Sequence, residues 1–312
     1  MKIGFLGCGA IGSIYSGYMS RVHDVYIVDT AQKIVDEVSE HGILIDECVP
    51  GHGSGDTVCF RPKLITTDPR EVGEVDILIV FVRYMFLEAA CRNALPMIGR
   101  NTVVMTLQNG IGNYDEIAKV VPEEQIVIGN TTHASTGIGP GHVRHAGTGV
   151  TNIGTIKADM SKAKLCAKAL EEAGFEVSVK DDVMAVIWHK VFVNVAINAI
   201  TALLEQENGF IADNKYAHEA ARLLVSEAVD VAVAGGCKFD KEAEIENAFN
   251  VAVATATNKS STLQDILSKK QTEILIINGA VSKTGREHNI PTPYNDLIVQ
   301  LVSAKQSVYL GR

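Results

Sequence analysis

The chain has 312 residues, which is long enough for two domains with a full hydrophobic core. Hydrophobic residues make up 46% and charged residues 21% of it, ordinary proportions for a globular enzyme. A formal net charge of −9, without a dense run of basic residues, argues against nucleic-acid binding, which depends on Lys and Arg contacts to phosphate.

Up to about residue 180, strand-like and helix-like stretches alternate along the sequence. Apolar stretches rich in β-branched residues predict strands at KIGFLG (2–7), VYIVD (25–29), VDILIVFV (75–82), TVVMTLQNG (102–110) and QIVIGN (125–130). Helical patterns follow the first two strands, at 11–22 and 31–42. The near-continuous apolar run at 75–82 is typical of a strand buried on both faces of a parallel sheet. The alternation therefore predicts an α/β fold with a doubly wound parallel sheet.

Two glycine-rich segments interrupt this alternation. GHGSGDT (51–57) has no strand and helix pattern around it, so we expect a surface loop there. GIGPGHVRHAGTG (137–149) has the turn residues of a hairpin or of a loop that closes the sheet.

After about residue 180 helical patterns dominate the sequence. They cover 183–206, 213–235, 240–256, a long stretch around 262–287, and 293–308. This change from α/β to nearly all-α composition predicts two domains, at 1–180 and at 181–312.

The cysteine spacing and the lengths of the apolar runs predict the cellular location of the protein. No two of the cysteines have the spacing of a zinc site or of a CxxC pair; they are Cys8, Cys48, Cys59, Cys91, Cys166 and Cys237. We expect reduced thiols, no bound metal and a cytoplasmic location. No apolar run is expected to reach the roughly 20 residues that span a bilayer, so we predict no membrane partner.

The first strand leads directly into a GxGxxG motif, whose residues are Gly7, Cys8, Gly9, Ala10, Ile11 and Gly12. In such a motif the first glycine allows a tight turn, the second lets the backbone approach a pyrophosphate, and the third lets helix and strand pack closely. A glycine-rich turn without a ligand is the alternative. The strand before the motif and the helix after it favour dinucleotide binding.

An acid at the end of the second strand, Asp29, follows Gly7 by 22 residues. A carboxylate at this position accepts hydrogen bonds from ribose hydroxyls and repels a 2′-phosphate, so it favours NADH over NADPH. No arginine follows directly, although Lys33 is close enough to leave NADPH open. The alternative is that Asp29 is a solvated loop acid.

The helix WHKVFVNVAINAITALL (188–204) is apolar nearly all round except for Lys190, Asn194 and Asn198. These three residues are four apart and advance by about 40° per step, so they form one narrow stripe. A lysine on a buried helix is costly unless water or a carboxylate reaches it. We expect the stripe to face a cleft, a ligand or a partner carboxylate. A polar seam between two helices is the alternative.

The segment NKSSTLQDILSKKQTEILIING (258–279) carries a third cluster of polar residues. Asn258, Ser260 and Ser261 are crowded together, and Glu273 follows Ser261 by 12 residues. Twelve residues make about 3.3 helical turns, which predicts that Ser261 and Glu273 lie on the same side of one helix. A serine N-cap followed by a solvated acid is an equally good interpretation of the residues alone.

Seven motifs, taken together and in order, resemble the ketopantoate reductase (2-dehydropantoate 2-reductase) family. They are GCGAIG, LQNGIGN, TTHA, WHKVFVNVAIN, ENG, NKSSTLQDI and TEILIING. The resemblance runs from residue 1 to about 295 and is specific as a combination. It implies an N-terminal Rossmann domain and a C-terminal helical domain of the 6-phosphogluconate dehydrogenase-like type, with the active site between them.

The resemblance also implies a role for each matching residue. Gly7 to Gly12 would hold the cofactor phosphates, and Asn109 and Ser135 would line the nicotinamide side. Lys190 matches the catalytic lysine, and Glu273 matches a glutamate near the cofactor and the lysine. The substrate-binding positions would be Asn194, Asn198, Asn208, Asn258 and Ser261.

The sequence departs from the family pattern at three positions. The family usually has a basic residue after the second strand, where this chain has Asp29, and this difference points to NADH. A lysine commonly follows the third long strand, where this chain offers Arg83 for the cofactor. The usual TEID motif reads TEIL, with Leu275 in place of an acid.

These features predict an NAD(P)H-dependent reductase of 2-keto acids, most simply a 2-dehydropantoate 2-reductase that makes D-pantoate in pantothenate biosynthesis. The alternatives are an NAD-dependent D-2-hydroxy acid dehydrogenase for branched or aromatic 2-keto acids, and a dinucleotide sensor without catalysis. The predicted partner is a small 2-keto acid, and a homodimer is left open.

Overall fold

A computed structural model describes residues 1–47 and 55–311 of the chain. Cys48 and most of the loop predicted at 51–57 lie outside the described residues. The chain divides into two compact units. The N-terminal unit comprises Met1–Gln108 and Asn113–Val183, and the helical unit comprises Asn109–Gly112 and Met184–Arg312.

The described part of the N-terminal unit contains twelve strands and five α-helices. The strands are β1 (Lys2–Leu6), β2 (Asp24–Val28), β3 (Ile43–Glu47), β4 (Thr57–Phe60), β5 (Leu64–Thr66), β6 (Ile77–Val80), β7 (Val103–Thr106), β8 (Ile126–Thr131), β9 (Ala134–Gly139), β10 (His142–Gly147), β11 (Val150–Gly154) and β12 (Glu176–Val179). The helices are α1 (Ala10–Met19), α2 (Gln32–His41), α3 (Leu87–Asn93), α4 (Asn113–Ala118) and α5 (Met160–Glu172).

Eight of these strands form one sheet in the order β12-β11-β8-β7-β6-β1-β2-β5. Only β8 and β11 pair antiparallel, and the other neighbours are parallel. Every residue of β6 and β7 is buried, as expected for central strands covered on both faces. The strand order reverses beside β1, and ligands of open α/β sheets bind at such a point, beyond the carboxyl ends of the strands. The predicted doubly wound parallel sheet is confirmed.

A second sheet was not expected from the sequence. The segment predicted as a hairpin or as a loop closing the main sheet contains β9 and β10, an antiparallel pair that belongs to a separate sheet ordered β4-β3-β10-β9. Val143 and His145 point inward and Arg144 outward, which is the alternation of a half-buried strand. Many positions of β9 and β10 are glycine or histidine rather than β-branched residues, so the sequence pattern does not predict these strands.

The helical unit contains the remaining helices. They are α6 (Val183–Leu204), α7 (Phe210–Asp213), α8 (Lys215–Ala234), α9 (Lys241–Ala254), α10 (Ser261–Leu267), α11 (Asn278–Glu287) and α12 (Pro293–Leu310). The prediction of one long helix at 262–287 is wrong, because the chain leaves the helix after Leu267. Lys269 adopts a left-handed backbone with φ of 53°, and the N–H of Lys270 donates to the carbonyl of Asp265 at 2.8 Å, which closes the helix end.

Helix α6 is long and apolar enough to cross a bilayer by length and composition, contrary to the prediction from apolar runs. Its side chains pack instead against other parts of its own unit, namely the loop between α8 and α9 and helix α12. The ring of Phe192 lies 5.0 Å from that of Phe239, and Ala199 packs with Val299 and Val302. Burial among helices therefore accounts for the apolar composition of α6.

Candidate active site

The GxGxxG motif forms the tight turn between β1 and α1. Gly7 has a φ of 93°, a left-handed backbone that glycine adopts without strain, and its N–H donates to the carbonyl of Val28 at 2.9 Å. A Cβ on Gly12 would lie 2.4 Å from the Gly7 carbonyl oxygen, so only glycine allows helix and strand to approach this closely.

The N-terminus of α1 is open to a ligand. Gly9 is the N-cap residue, no side chain caps the helix, and a Cβ built on Gly9 would meet nothing within 4 Å. The unpaired N–H groups of the first turn and the positive end of the helix dipole are the features that bind phosphate groups. The residues present therefore fit the pyrophosphate of a dinucleotide.

Asp29 is fixed against this loop rather than free in solvent. One carboxylate oxygen accepts a hydrogen bond from the Cys8 N–H at 2.7 Å, and the other accepts from the Ala31 N–H at 2.9 Å. A cavity of about 70 Å³ opens beside the carboxylate and is also lined by Gly7 and Thr30. The acid is thus held where β2 ends, at the edge of an opening next to the glycine-rich turn.

Cys8 lies inside the motif but its thiol points into the core. Burial raises the pKa of this thiol to about 11, and its Sγ lies 3.4 Å from the hydroxyl of Ser13. The thiol is therefore protonated at neutral pH, and the contribution of Cys8 to a ligand comes from its backbone.

Ser135 and Arg83 lie on different loops of the same unit. The Ser135 hydroxyl donates to the carbonyl of Ala10 at 2.9 Å, which ties β9 to the first turn of α1. Arg83 is exposed just after β6. A residue that the sequence did not single out, Gln108, donates from its side-chain amide to the carbonyl of Val82 and so links the loops after β6 and β7.

In the helical unit, the stripe on α6 is a polar strip along a largely buried helix surface. Lys190 and Asn194 are half-buried and Asn198 is buried, while Val191 and Val195 beside them are fully enclosed. Burial lowers the pKa of Lys190 from its ordinary value to about 8, and the negative charge of Glu273 opposes that shift. Lys190 therefore has a proton affinity suited to proton transfer near neutral pH.

Glu273 comes close to this lysine from a non-helical segment. The expectation that Ser261 and Glu273 share one helix face is wrong, since α10 ends at Leu267, before Glu273. The Glu273 carboxylate accepts a hydrogen bond from the Asn109 side-chain amide at 3.3 Å. Lys190, Glu273 and Asn109 are therefore brought together, although they are far apart in sequence.

The loop that contains Asn109 belongs to the helical unit, although it lies between β7 and α4 in sequence. Gly110 has a φ of 87°, and a Cβ on it would lie 2.2 Å from the carbonyl oxygen of Ile276. The Ile111 N–H donates to the same oxygen at 3.3 Å. This backbone contact holds Asn109 against the segment that carries Glu273.

The two serines of the NKSS motif have different roles. Ser260 is the N-cap of α10, because its hydroxyl accepts from the Leu263 N–H at 3.2 Å, and it lies 2.8 Å from the hydroxyl of Thr201 on α6. Ser261 is left to accept a hydrogen bond from the Asn198 amide at 3.4 Å. Thr201 was not expected as a site residue, yet it fixes the start of α10 against α6.

The remaining predicted residues lie in two loops that contact each other, Asn208 between α6 and α7 and Asn258 between α9 and α10. The Asn208 backbone N–H donates to the carbonyl of Asn258 at 2.9 Å, and its side-chain amide donates to the Thr255 hydroxyl at 3.0 Å. The Oδ1 atom of Asn208 is buried and has no hydrogen-bond partner among the described residues. The Asn258 side chain is exposed. Asn208 thus offers an acceptor that a bound hydroxyl could satisfy.

Comparison with known proteins identifies the family. The family model described as "Ketopantoate reductase PanE/ApbA" matches residues 3–158, and the one described as "Ketopantoate reductase PanE/ApbA C terminal" matches residues 182–306. A 2-dehydropantoate 2-reductase of Halobacterium salinarum is 34% identical over 309 residues, which cover 98% of this chain and 99% of the relative.

Solved structures agree with the sequence match. A ternary structure of D-mandelate dehydrogenase with NADH and anilino(oxo)acetate has a TM-score of 0.90 and 29% identity, covering 99% of this chain and 100% of that one. A PanE/ApbA family ketopantoate reductase from Ralstonia eutropha has a TM-score of 0.87 and 26% identity, with the same coverage. The chain therefore belongs to the ketopantoate reductase family of NAD(P)-dependent oxidoreductases.

Proposed function

We propose that the protein reduces 2-dehydropantoate to D-pantoate with NADH, and that Lys190 is the proton donor. Bound NADH would supply a hydride to the keto carbon of the substrate. The carbonyl π bond then opens toward oxygen, and the ammonium of Lys190 gives one proton to that oxygen to form the 2-hydroxyl. A positioned cation also stabilises the negative charge that develops on the oxygen.

The observation that carries the proposal is the environment of Lys190. Burial lowers its pKa to about 8. Most molecules therefore carry a protonated Lys190 at neutral pH, and this ammonium gives up its proton more readily than an ordinary lysine does. Glu273 favours the charged form, and Asn109 holds the Glu273 carboxylate. We infer that Glu273 keeps Lys190 charged and oriented, or contacts the cofactor ribose beside it.

The proposed substrate contacts follow the polar strip and the α10 N-terminus. Asn194 and Asn198 would orient the substrate, and Ser261, which is hydrogen-bonded to Asn198, would bind its carboxylate end together with Asn258. The buried Oδ1 of Asn208 would accept from a substrate hydroxyl, which 2-dehydropantoate has.

We propose NADH rather than NADPH because of Asp29. Two backbone N–H groups hold its carboxylate at the end of β2, where ribose hydroxyls of a bound dinucleotide would donate to it. A 2′-phosphate there would meet a fixed negative charge. Arg83 and Ser135 are proposed to contact the cofactor on the other side of the glycine-rich turn.

A second candidate function is the reduction of bulkier branched or aromatic 2-keto acids. The likeness to D-mandelate dehydrogenase supports it, as does the TEIL motif, in which Leu275 replaces an acid and is 54% exposed. A cytoplasmic location and a homodimeric state stay predictions.

Steady-state NADH oxidation with 2-dehydropantoate, 2-ketoisocaproate and phenylglyoxylate tests the substrate. We expect kcat/KM to be at least about tenfold higher with 2-dehydropantoate, because only this acid has a hydroxyl that can donate to Asn208, and one such hydrogen bond is worth about 1.5 kcal/mol. Higher kcat/KM with either of the other acids would favour the second candidate. Tight NADH binding without turnover of any of the three would indicate a sensor.

A further inference from the structure

A cluster of polar side chains lies in the N-terminal unit and consists of Tyr18, Glu47, His145 and His133. The Glu47 carboxylate accepts a hydrogen bond from the Tyr18 hydroxyl, and its other oxygen is 2.9 Å from Nδ1 of His145, an ion-pair contact that is not aligned as a hydrogen bond. Nε2 of His145 lies 3.1 Å from Nδ1 of His133. The side chains of His145 and Glu47 are 2% and 1% exposed.

The contacts among Glu47, His145 and His133 limit the charge that the two imidazole rings can carry. The buried Glu47 carboxylate is in contact with the imidazole of His145, which is equally enclosed. The contact between the two imidazoles requires one nitrogen to donate and the other to accept, so both rings cannot be protonated at once. The two rings therefore offer a ligand hydrogen-bond donors rather than a pair of positive charges.

The end of α1 adds a cation to this cluster. The Arg21 guanidinium lies over the rings of Tyr18 and Phe60, with its carbon 4.9 Å and 4.6 Å from their centroids. Stacking of this kind fixes the plane of a guanidinium and leaves its N–H edge available. Arg21 forms no ion pair within the ranges 1–47 and 55–311. Its charge is therefore preorganised but not neutralised there.

Arg21 borders a cavity that the histidines also line. The cavity has a volume of about 240 Å³, and its other walls are Tyr18, His133, His145 and Phe175 with the turn at Gly174. A cavity of this volume is sufficient for a compact anion.

We propose that this cavity binds a small anion through the Arg21 guanidinium, with an imidazole N–H of the histidine pair as the second donor and aromatic rings as walls. Both carboxylates and phosphates fit the planar fork of arginine, and either would neutralise the charge of Arg21. The site would be separate from the glycine-rich turn, which lies at the opposite end of α1.

The same contacts connect the cavity to the first turn of α1. The Thr131 hydroxyl accepts two hydrogen bonds. One comes from the Tyr15 hydroxyl at 2.8 Å, and the other comes from the backbone N–H of His133 at 3.1 Å. Two residues further on, Ser135 donates to the carbonyl of Ala10. An anion held by Arg21 and His133 is therefore expected to change NADH affinity by a few fold, through β9 and α1.

Thermal unfolding with saturating NADH tests the proposal, because the dinucleotide then occupies the glycine-rich turn. Sodium phosphate and sodium malonate are titrated separately at constant ionic strength. We expect a saturable rise of Tm in the wild type and an apparent affinity at least about tenfold weaker in Arg21→Gln, which keeps part of the apolar stem. Any anion that binds at the catalytic site would still raise Tm in Arg21→Gln. The proposal is therefore tested by the difference in Tm response between the wild type and this variant.

Arg100→Gln is the matched control, since Arg100 is an exposed arginine of the same unit without an ion pair among the described residues. It should respond as the wild type does. Arg21→Lys keeps the charge without the planar fork and should give an intermediate affinity, which separates loss of charge from misfolding. Saturation by phosphate alone would identify a phosphorylated ligand, and saturation by malonate alone a carboxylate.

Two results would overturn the proposal. One is the absence of a saturable response in the wild type. The other is an equal response in Arg21→Gln and Arg100→Gln, which would leave Arg21 as a packing residue whose charge only stacks on Tyr18 and Phe60.

Discussion

Replacing Lys190 with alanine is expected to lower kcat for 2-keto acid reduction by about 10²–10⁴-fold, the usual effect of removing a positioned general acid. Without the ammonium, the oxygen that gains charge must take its proton from water and loses its electrostatic stabilisation. NADH affinity should stay nearly unchanged, because the dinucleotide is proposed to bind at the glycine-rich turn. Stopped-flow single turnovers and a fluorescence titration with NADH separate the two effects.

Lys283→Ala is the control for this experiment, since Lys283 is an exposed lysine on α11 of the same unit. It should leave both kcat and NADH affinity at wild-type values. Wild-type turnover in Lys190→Ala would exclude Lys190 as the proton donor, and a matching loss of NADH affinity would indicate a structural defect.

Replacing Asp29 with arginine should raise the ratio of kcat/KM for NADPH over that for NADH by about 100-fold. The substitution removes an acceptor for the ribose hydroxyls and adds a donor for the 2′-phosphate, and each charge-assisted hydrogen bond is worth about 1.5–3 kcal/mol. The measurement is initial rates with each cofactor at saturating 2-keto acid.

The Asp29 carboxylate also accepts from the Cys8 and Ala31 N–H groups, so loss of these contacts must be separated from loss of charge. Asp29→Asn keeps an acceptor oxygen and removes the charge, and it should give an intermediate ratio with little loss of stability. A wild-type enzyme that already prefers NADPH would show that the cofactor assignment from Asp29 is wrong.

Features that depend on local spacing were predictable from the sequence. The turn at Gly7 to Gly12 follows from a motif in which each glycine has a backbone reason, and the structure has φ of 93° at Gly7 and close packing at Gly12. The stripe of Lys190, Asn194 and Asn198 follows from helical periodicity alone. In both cases the residues concerned lie close together in sequence.

Features that depend on contacts distant in sequence were not predictable from the residues alone. Periodicity placed Ser261 and Glu273 on one helix, whereas the helix ends between them and Glu273 is held by Asn109, 164 residues away. The same limit applies to Glu47 and His145, which meet only because β3 and β10 are neighbours in the second sheet. Ser260 rather than Ser261 caps α10, and the same hydroxyl contacts Thr201 on α6, 59 residues away.

The central claim, proton donation by Lys190, is tested most directly by the pH dependence of kcat/KM for 2-keto acid reduction. A general acid must be protonated, so kcat/KM should be level below the Lys190 pKa of about 8 and fall about tenfold per pH unit above it. In Glu273→Gln the fall should begin at lower pH, since Glu273 raises the pKa of Lys190. A wild-type profile that stays flat well above that pKa, or a shift to higher pH in Glu273→Gln, would contradict the claim.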